Sequence, residues 1–177
     1  MTRGWSFTSP ITRMVLANDG GTTTLLAAVL DTPLGVVVHR LEDVGVTEVA
    51  KEIRDVLDPQ SRHAHFALRQ ASLATPTGQP VSHNLVIWRL GADPRLDTLA
   101  RDETKPIGLA IADAGLILRR HAILTGLDTW QPDGRPCVVK TYLLADPAAQ
   151  PVMWIREHYN PAIIPSTIQE RCSTTAA

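Results

Sequence analysis

The stretch HAHFALRQASLATPTGQPVSHNLVIW, residues 63–88, decides how the chain folds. Two runs, 63–74 and 80–88, flank TPTGQ, whose proline and glycine signal a turn. So short a connection joins antiparallel neighbours, because parallel strands need a crossover of a dozen or more residues. The closing phrase GQPV has two echoes, GRPC (134–137) and AQPV (149–152). Proline is tolerated at the first residue of a strand, so each phrase marks a hairpin return. PLGVVVHRL (33–41), LILRRHAILTG (116–126), PCVVKTYLLA (136–145) and PVMWIREHY (151–159) bring the strands to six.

Helices fill the intervals. DGGTTTLLAAVL predicts a helix from near Thr22, with Asp19 or Thr22 as its cap. In VTEVAKEIRDVL (46–57), Val46, Val49, Ile53, Val56 and Leu57 recur at helical spacing. DPRLDTLARD (93–102) reads as a short helix capped by Asp93, with Pro94 in its first position. Residues 1–12 and 163–177 read as loosely ordered ends around a domain spanning 13–162. The expectation is a single α+β domain: a six-stranded, mostly antiparallel sheet with helices on one face. Helix 46–57 and the segment near 93–115 interrupt the strands and are candidate flaps over an internal pocket.

Composition narrows the function. At 177 residues the chain is long enough to bury a core without disulfides or metal. Its 17 basic and 18 acidic residues nearly cancel, leaving no electrostatic footprint for nucleic acid or an anionic membrane. A small molecule is therefore the expected partner, with the protein a monomer or weak homo-oligomer. Cys137 and Cys172 are too far apart in sequence for a metal motif and read as free thiols. No apolar run approaches ~18 residues and no signal peptide opens the chain, so a cytoplasmic location is expected.

Two side chains break the strand pattern. Strand alternation puts Met153, Ile155, Glu157 and Tyr159 on one side of the last strand, an apolar face with one carboxylate set into it. Burying a lone carboxylate costs on the order of several kcal/mol, so Glu157 needs a partner or a task. In 63–74, Arg69 shares its side with His65, Ala67, Ala71 and Leu73, whose alanines leave space beside it. An arginine and a glutamate, each alone on an apolar sheet face, suit either a structural salt bridge or an internal polar site.

Four phrases in order, LANDGGTTTLL (16–26), FALRQASLATPTGQPV (66–81), KPIG (105–108) and QPVMWIREHYNP (150–161), resemble the chorismate–pyruvate lyase family over roughly residues 13–161. The resemblance implies a six-stranded antiparallel sheet with helices over one face. It also implies a carbon–oxygen lyase that eliminates pyruvate from chorismate to give 4-hydroxybenzoate, with no metal and no organic cofactor. By the same resemblance Arg69 holds the ring carboxylate and Glu157 acts as acid or base. Gly21 and Ile107 contribute backbone groups to substrate binding. A planar guanidinium suits a carboxylate, which it can hold by two charge-assisted hydrogen bonds.

The chain departs from that family where a second substrate carboxylate needs a cation: the loop here is Thr22-Thr23-Thr24. Arg119, Arg120 and Lys140 are the candidates to supply it, and alternation lets only one of the two adjacent arginines face inward. The neutral loop and the small Gly21 also fit a tailoring enzyme acting on a larger, less charged secondary metabolite. A third reading is a non-catalytic small-molecule sensor, since related sheet domains serve regulators. Such sensors accompany a DNA-binding domain, for which the residues before 13 offer no room. HAH (63–65), with Glu157 or His121, imitates a metal site without a recognisable third-ligand spacing.

Overall fold

The structure, a computed structural model, describes residues 7–58 and 65–168. Six strands form one sheet in the order β1-β2-β3-β6-β5-β4, and every neighbouring pair is antiparallel. They are β1 (Gly35–Val44), β2 (Phe66–Ala74), β3 (Pro80–Arg89), β4 (Arg119–Thr129), β5 (Pro136–Ala145) and β6 (Pro151–Tyr159). The proline-opened hairpin returns are therefore real: Pro80, Pro136 and Pro151 each begin a strand. The α+β class, the six strands and the antiparallel pairing follow the sequence reading. His63 and Ala64, the start of the predicted second strand, lie outside the described residues.

Five helices accompany the sheet: α1 (Pro10–Ala17), α2 (Thr22–Leu30), α3 (Lys51–Leu57), α4 (Pro94–Ala100) and α5 (Ile107–Asp113). At α4 the predicted cap is present, with Asp93 accepting from the Arg95 amide at 2.9 Å and Pro94 opening the helix. At α1, Ser9 caps and Pro10 leads.

The core divides by sheet face. On one face Ala67, Val86, Trp88, Tyr142, Met153 and Ile155 pack with Leu96 and Ala100 of α4 and with Ile111 of α5. The same face continues into a second cluster, where Leu73, Val138 and Tyr159 meet Val15 of α1 and Leu26 of α2. The opposite face carries a smaller cluster: Phe66, Ile87 and Trp154 pack against Val49 and Leu57 at α3. Of the two candidate flaps, the 93–115 segment lies over the interior face and α3 lies on the other. Residues 46–50, predicted as the start of α3, form turns instead, with the Glu48 carboxylate accepting from the Gly45 amide at 2.7 Å.

Cys137 is fully buried on β5, and burial, then the nearby Asp128 carboxylate, pushes its thiol up to about 11. A thiol so shifted is almost wholly protonated near pH 8, and the thiolate is the nucleophile. Cys137 is therefore expected to resist alkylation in native protein and to react once denatured, a difference that peptide mass spectrometry after iodoacetamide treatment measures.

Candidate functional site

Register places the two exceptional side chains on one face. Arg69 pairs across the sheet with Val86, Val86 with Ile155, and Ile155 with Tyr142. In the adjacent row Ala71 pairs with Asn84, Asn84 with Glu157, and Glu157 with Lys140. Arg69 and Glu157 are thus two strands and one same-face step apart, which strand geometry converts to roughly 12 Å between their Cα atoms. Between them lies a cavity of about 60 Å³, lined by Arg69, Asn84, Tyr142 and Glu157 from the sheet and by Arg120 from β4. Thr22 and Thr23 at the start of α2, with Pro106, Ile107 and Ile111 of the α5 segment, close it from above.

Glu157 has found its partners. Its Oε1 accepts from the Tyr142 hydroxyl at 3.0 Å, and its Oε2 accepts from the Tyr159 hydroxyl at 2.5 Å and from Thr22 Oγ1 at 3.4 Å. Burial, and next the charge of Glu157, pushes both phenols well above the ordinary tyrosine range, so each remains a donor to the carboxylate. The hydroxyl of Thr22 links the carboxylate onward to Arg120, whose Nη1 reaches Thr22 Oγ1 at 3.3 Å and also donates to the Gly20 carbonyl. The Arg120 guanidinium lies 4.2 Å from the Tyr142 ring centre, a cation–π contact.

Arg69 is 1% exposed and touches no carboxylate. Its Nη1 donates to the Ala100 carbonyl at 3.0 Å and its Nη2 to the Lys105 carbonyl at 3.1 Å, tying β2 to the α4–α5 connection. Burial lowers its hold on the proton, and the charges of Asp102 and Glu103 partly restore it. An arginine stays charged throughout. A cation is therefore held inside the protein with carbonyl dipoles but no counter-ion in contact.

Three further polar atoms line up with that deficit. The Nε of Arg69, the Nε of Arg120 and the Oδ1 of Asn84 are all buried without a hydrogen-bond partner among the described residues, and all three residues line this cavity, Asn84 bordering the other face as well.

Of the residues singled out from sequence, Arg69, Ile107 and Glu157 border the cavity, while Gly21 is the N-cap of α2, next to its lining residues Thr22 and Thr23. Among the candidate cations, Arg120 faces the cavity. Lys140 is buried beneath Tyr142 and donates to the carbonyls of Val15 (3.3 Å) and Asn18, closing the end of α1. Thr22, Asn84, Tyr142 and Tyr159 were not picked out from sequence. Alternation alone places Tyr159 beside Glu157, a signal that was available. His63 of the imitation metal site lies outside the described residues; among those described, no group of three His, Cys, Asp or Glu side chains converges, and His65 and His121 are exposed.

No protein-family model matches the chain and no curated protein matches it. Solved structures do. PhnF from Mycobacterium smegmatis is similar over 85% of this chain and 68% of its own, with a TM-score of 0.67 at 16% identity. The effector domain of PhnF alone matches over 81% of this chain and 90% of that domain, with a TM-score of 0.64 at 16% identity. The ligand-binding domain of a putative GntR-family transcriptional regulator from Bordetella bronchiseptica matches over 72% of this chain and 84% of its own, at TM-score 0.53 and 14% identity.

At such identities the likeness is one of fold, and it corrects the expectation of an enzyme. The matching domains just named are an effector domain and a ligand-binding domain. The phrases that resembled chorismate–pyruvate lyase therefore mark a common sheet and cavity. The elimination of pyruvate from chorismate, the product 4-hydroxybenzoate and the tailoring-enzyme variant all fall with that correction. Three hydroxyl donors surround the Glu157 carboxylate, one on Oε1 and two on Oε2. The expectation that nucleic acid plays no part loses its footing too, since one of the matching domains belongs to a transcriptional regulator. Among the described residues, no helix is long and apolar enough to cross a membrane.

Proposed function

We propose that the chain is a small-molecule-binding effector module that holds its ligand between the sheet and the α2 and α5 segments without converting it. One observation carries this reading: the unpartnered, buried Arg69 Nε, Arg120 Nε and Asn84 Oδ1 around one cavity. Folded proteins satisfy the great majority of buried polar atoms, and each omission costs about 1–3 kcal/mol. Three omissions together describe the complement of a ligand. Two guanidinium donors call for an acid group, and the amide oxygen calls for a hydroxyl or amine on the same molecule.

The ligand class is thus a small organic anion bearing a hydrogen-bond donor, with Arg69 as its main anchor and Ile107 as part of its apolar wall. The cavity of about 60 Å³ holds only a few water molecules. A ligand of that class enters when Pro106–Ile111 shifts outward, since this segment forms the roof. By analogy with the regulator domain of the same fold, occupancy of the cavity is the signal and DNA the eventual target.

The test is a panel of small hydroxy- and amino-carboxylates and phosphate esters, screened by thermal shift and confirmed by calorimetry. A ligand at a hundred times its Kd stabilises by about 2.7 kcal/mol, or roughly 5–10 °C for a domain of this size. The ligand is to be recovered chemically unchanged, and chorismate incubated with the protein is to yield no 4-hydroxybenzoate. Consumption of a ligand would return the chain to the enzymes, and a panel without any saturable binder would remove the proposal.

A further inference from the structure

The other face of the sheet carries a larger concavity, a groove of about 630 Å³, bordered by His39, Gln70, His83, Leu85, Arg156 and His158 from the strands and by Trp130 to Pro132 beyond β4. Its polar side chains are in register rather than scattered. Ser72 pairs across the sheet with His83, and His83 with His158, on three consecutive strands. Along this row His39 Nε2 lies 2.6 Å from Ser72 Oγ, and Ser72 Oγ lies 2.7 Å from His83 Nδ1. The serine has one proton to give, so it donates to one imidazole and must accept from the other. The Trp130 ring, itself 2% exposed, stacks on His83 at 4.3 Å between centres. His83 is held from two sides, and its Nε2 makes no hydrogen bond within the protein among the described residues.

Arg156 stands in the same groove with its positive end unused. Its Nε donates to Thr141 Oγ1 at 3.3 Å and its guanidinium lies 5.7 Å from the Trp154 ring centre. Its two terminal amino groups have no protein acceptor among the described residues. Asp128, the one carboxylate on the groove, is engaged by His158 Nε2 at 2.9 Å.

We propose that this groove is a second binding site, for a planar organic anion whose acid group is held by Arg156 with His83, beside the His158–Asp128 pair, and whose ring lies against Leu85 and Pro132. The volume falls within the ~300–1,000 Å³ of small-molecule sites and is far more than an inorganic ion needs. The walls combine one fixed cation, orientable imidazoles and apolar surface, which is the chemistry of an aromatic acid. The groove opens on the opposite face of the sheet from the interior cavity, with Ala71 and Asn84 bordering both, and its proposal does not depend on the function proposed for that cavity.

Acidity strengthens such binding. Burial, then the neighbouring His39 and His158, holds the His83 imidazole below the usual histidine range, so the empty groove carries it neutral near pH 7. A bound anion favours the protonated ring, so affinity rises as pH falls from about 8 to about 5.5. Of the other charges on this face, Arg40 pairs with Glu42 on β1 and Arg89 with Asp58 at the α3 end, while Arg119 and His121 of β4 and Arg54 of α3 make no ion pair among the described residues. From β5 the face receives Cys137, Val139 and Thr141, none of which changes charge in this range.

The experiment titrates 2-naphthoate into the full chain at about pH 5.5 and about pH 8, by calorimetry and by NMR of the ring resonances. The expected result is saturable binding, tighter at the lower pH, with shifts at His39, His83 and His158. Arg156→Gln is expected to weaken binding about tenfold or more, and Arg156→Lys by less. If Arg156→Gln does not fold by circular dichroism, His83→Gln takes its place, with the low-pH gain as the readout. Absence of saturable binding at the lower pH, wild-type affinity in Arg156→Gln or an unchanged pH dependence in His83→Gln would overturn the proposal. Shifts at Tyr142 and Tyr159 in place of the histidines would do so too, because the probe would then occupy the interior cavity.

Discussion

Replacing Arg69 with methionine is expected to abolish ligand binding in the interior cavity while leaving the folded domain as stable as before, or more so. The two halves of that result have one cause. The guanidinium is 1% exposed, is anchored only to the Ala100 and Lys105 carbonyls, and leaves its Nε unmatched. Taking an ion out of water costs several kcal/mol even after relaxation, and uncharged carbonyls return only part of it. An apolar side chain of similar volume escapes that cost, and such replacements of buried ionic groups are often neutral or stabilising by about 1–4 kcal/mol. The ligand loses the charge-assisted hydrogen bond from Arg69 Nε, which at about 1.5–3 kcal/mol amounts to roughly ten- to a hundredfold in Kd, together with the fixed positive charge facing its acid group.

Thermal denaturation and calorimetry on the same protein decide the matter. A Tm lowered by about 10 °C would mean that the guanidinium is a structural tie between β2 and the α4–α5 connection. Retained affinity would mean that the ligand lies elsewhere. Arg69→Lys keeps the charge and loses the planar fork, so it is expected to recover only a small part of the affinity.

The sheet was legible because its signals are local. A proline-opened strand after a tight turn implies an antiparallel neighbour whatever the rest of the chain does, and β6 runs over the predicted 151–159. β4 begins three residues after its predicted start, because Leu116 and Leu118 pack against the α4–α5 core instead of pairing. Helix α1 carried a usable signal, the Ser9-Pro10 pair that caps and opens it, but lay within a segment read as a loose end. Helix α5 carried almost none: IGLAIAD has seven residues and no side-chain cap.

The site divides along the same line. Alternation within each strand was enough to set Arg69 and Glu157 each on its own strand's apolar side and to show that only one of Arg119 and Arg120 could face inward, while register brought the two sides together. The hydroxyls around Glu157 depend on the register of β5 with β6 and on where α2 begins, which are long-range facts that no local pattern carries. Function was the least legible of all. A guanidinium and a carboxylate facing one another across a closed cavity serve capture as well as catalysis. No local pattern separates the two, and the hydroxyls that surround the carboxylate appear only in the folded chain.

Those donors make Glu157→Leu the most damaging substitution in the interior. The carboxylate is 6% exposed and is the acceptor for Tyr142, Tyr159 and Thr22 at once. Leucine fits the volume but strands two buried phenols, each left with a desolvated hydroxyl at about 1–3 kcal/mol. Burial lowers the hold of Lys140 on its proton, and the substitution removes the larger of the two negative charges, Glu157 and Asp19, that partly restore it. The combined loss is expected to be about 3–5 kcal/mol, the range for breaking a buried charged network by removing one member. Glu157→Gln keeps an acceptor oxygen and should lose less, about 1–2 kcal/mol, because its amide still satisfies one phenol. Chemical denaturation separates the two, and Tyr142→Phe in the Glu157→Leu background gives the sharper check. With the stranded phenol removed, stability should rise in the double variant relative to Glu157→Leu, whereas Tyr142→Phe alone should lower it. Additive losses would mean that the phenol and the carboxylate are not coupled, and that the polar chain from Tyr159 through Glu157 and Thr22 to Arg120 does not organise the cavity.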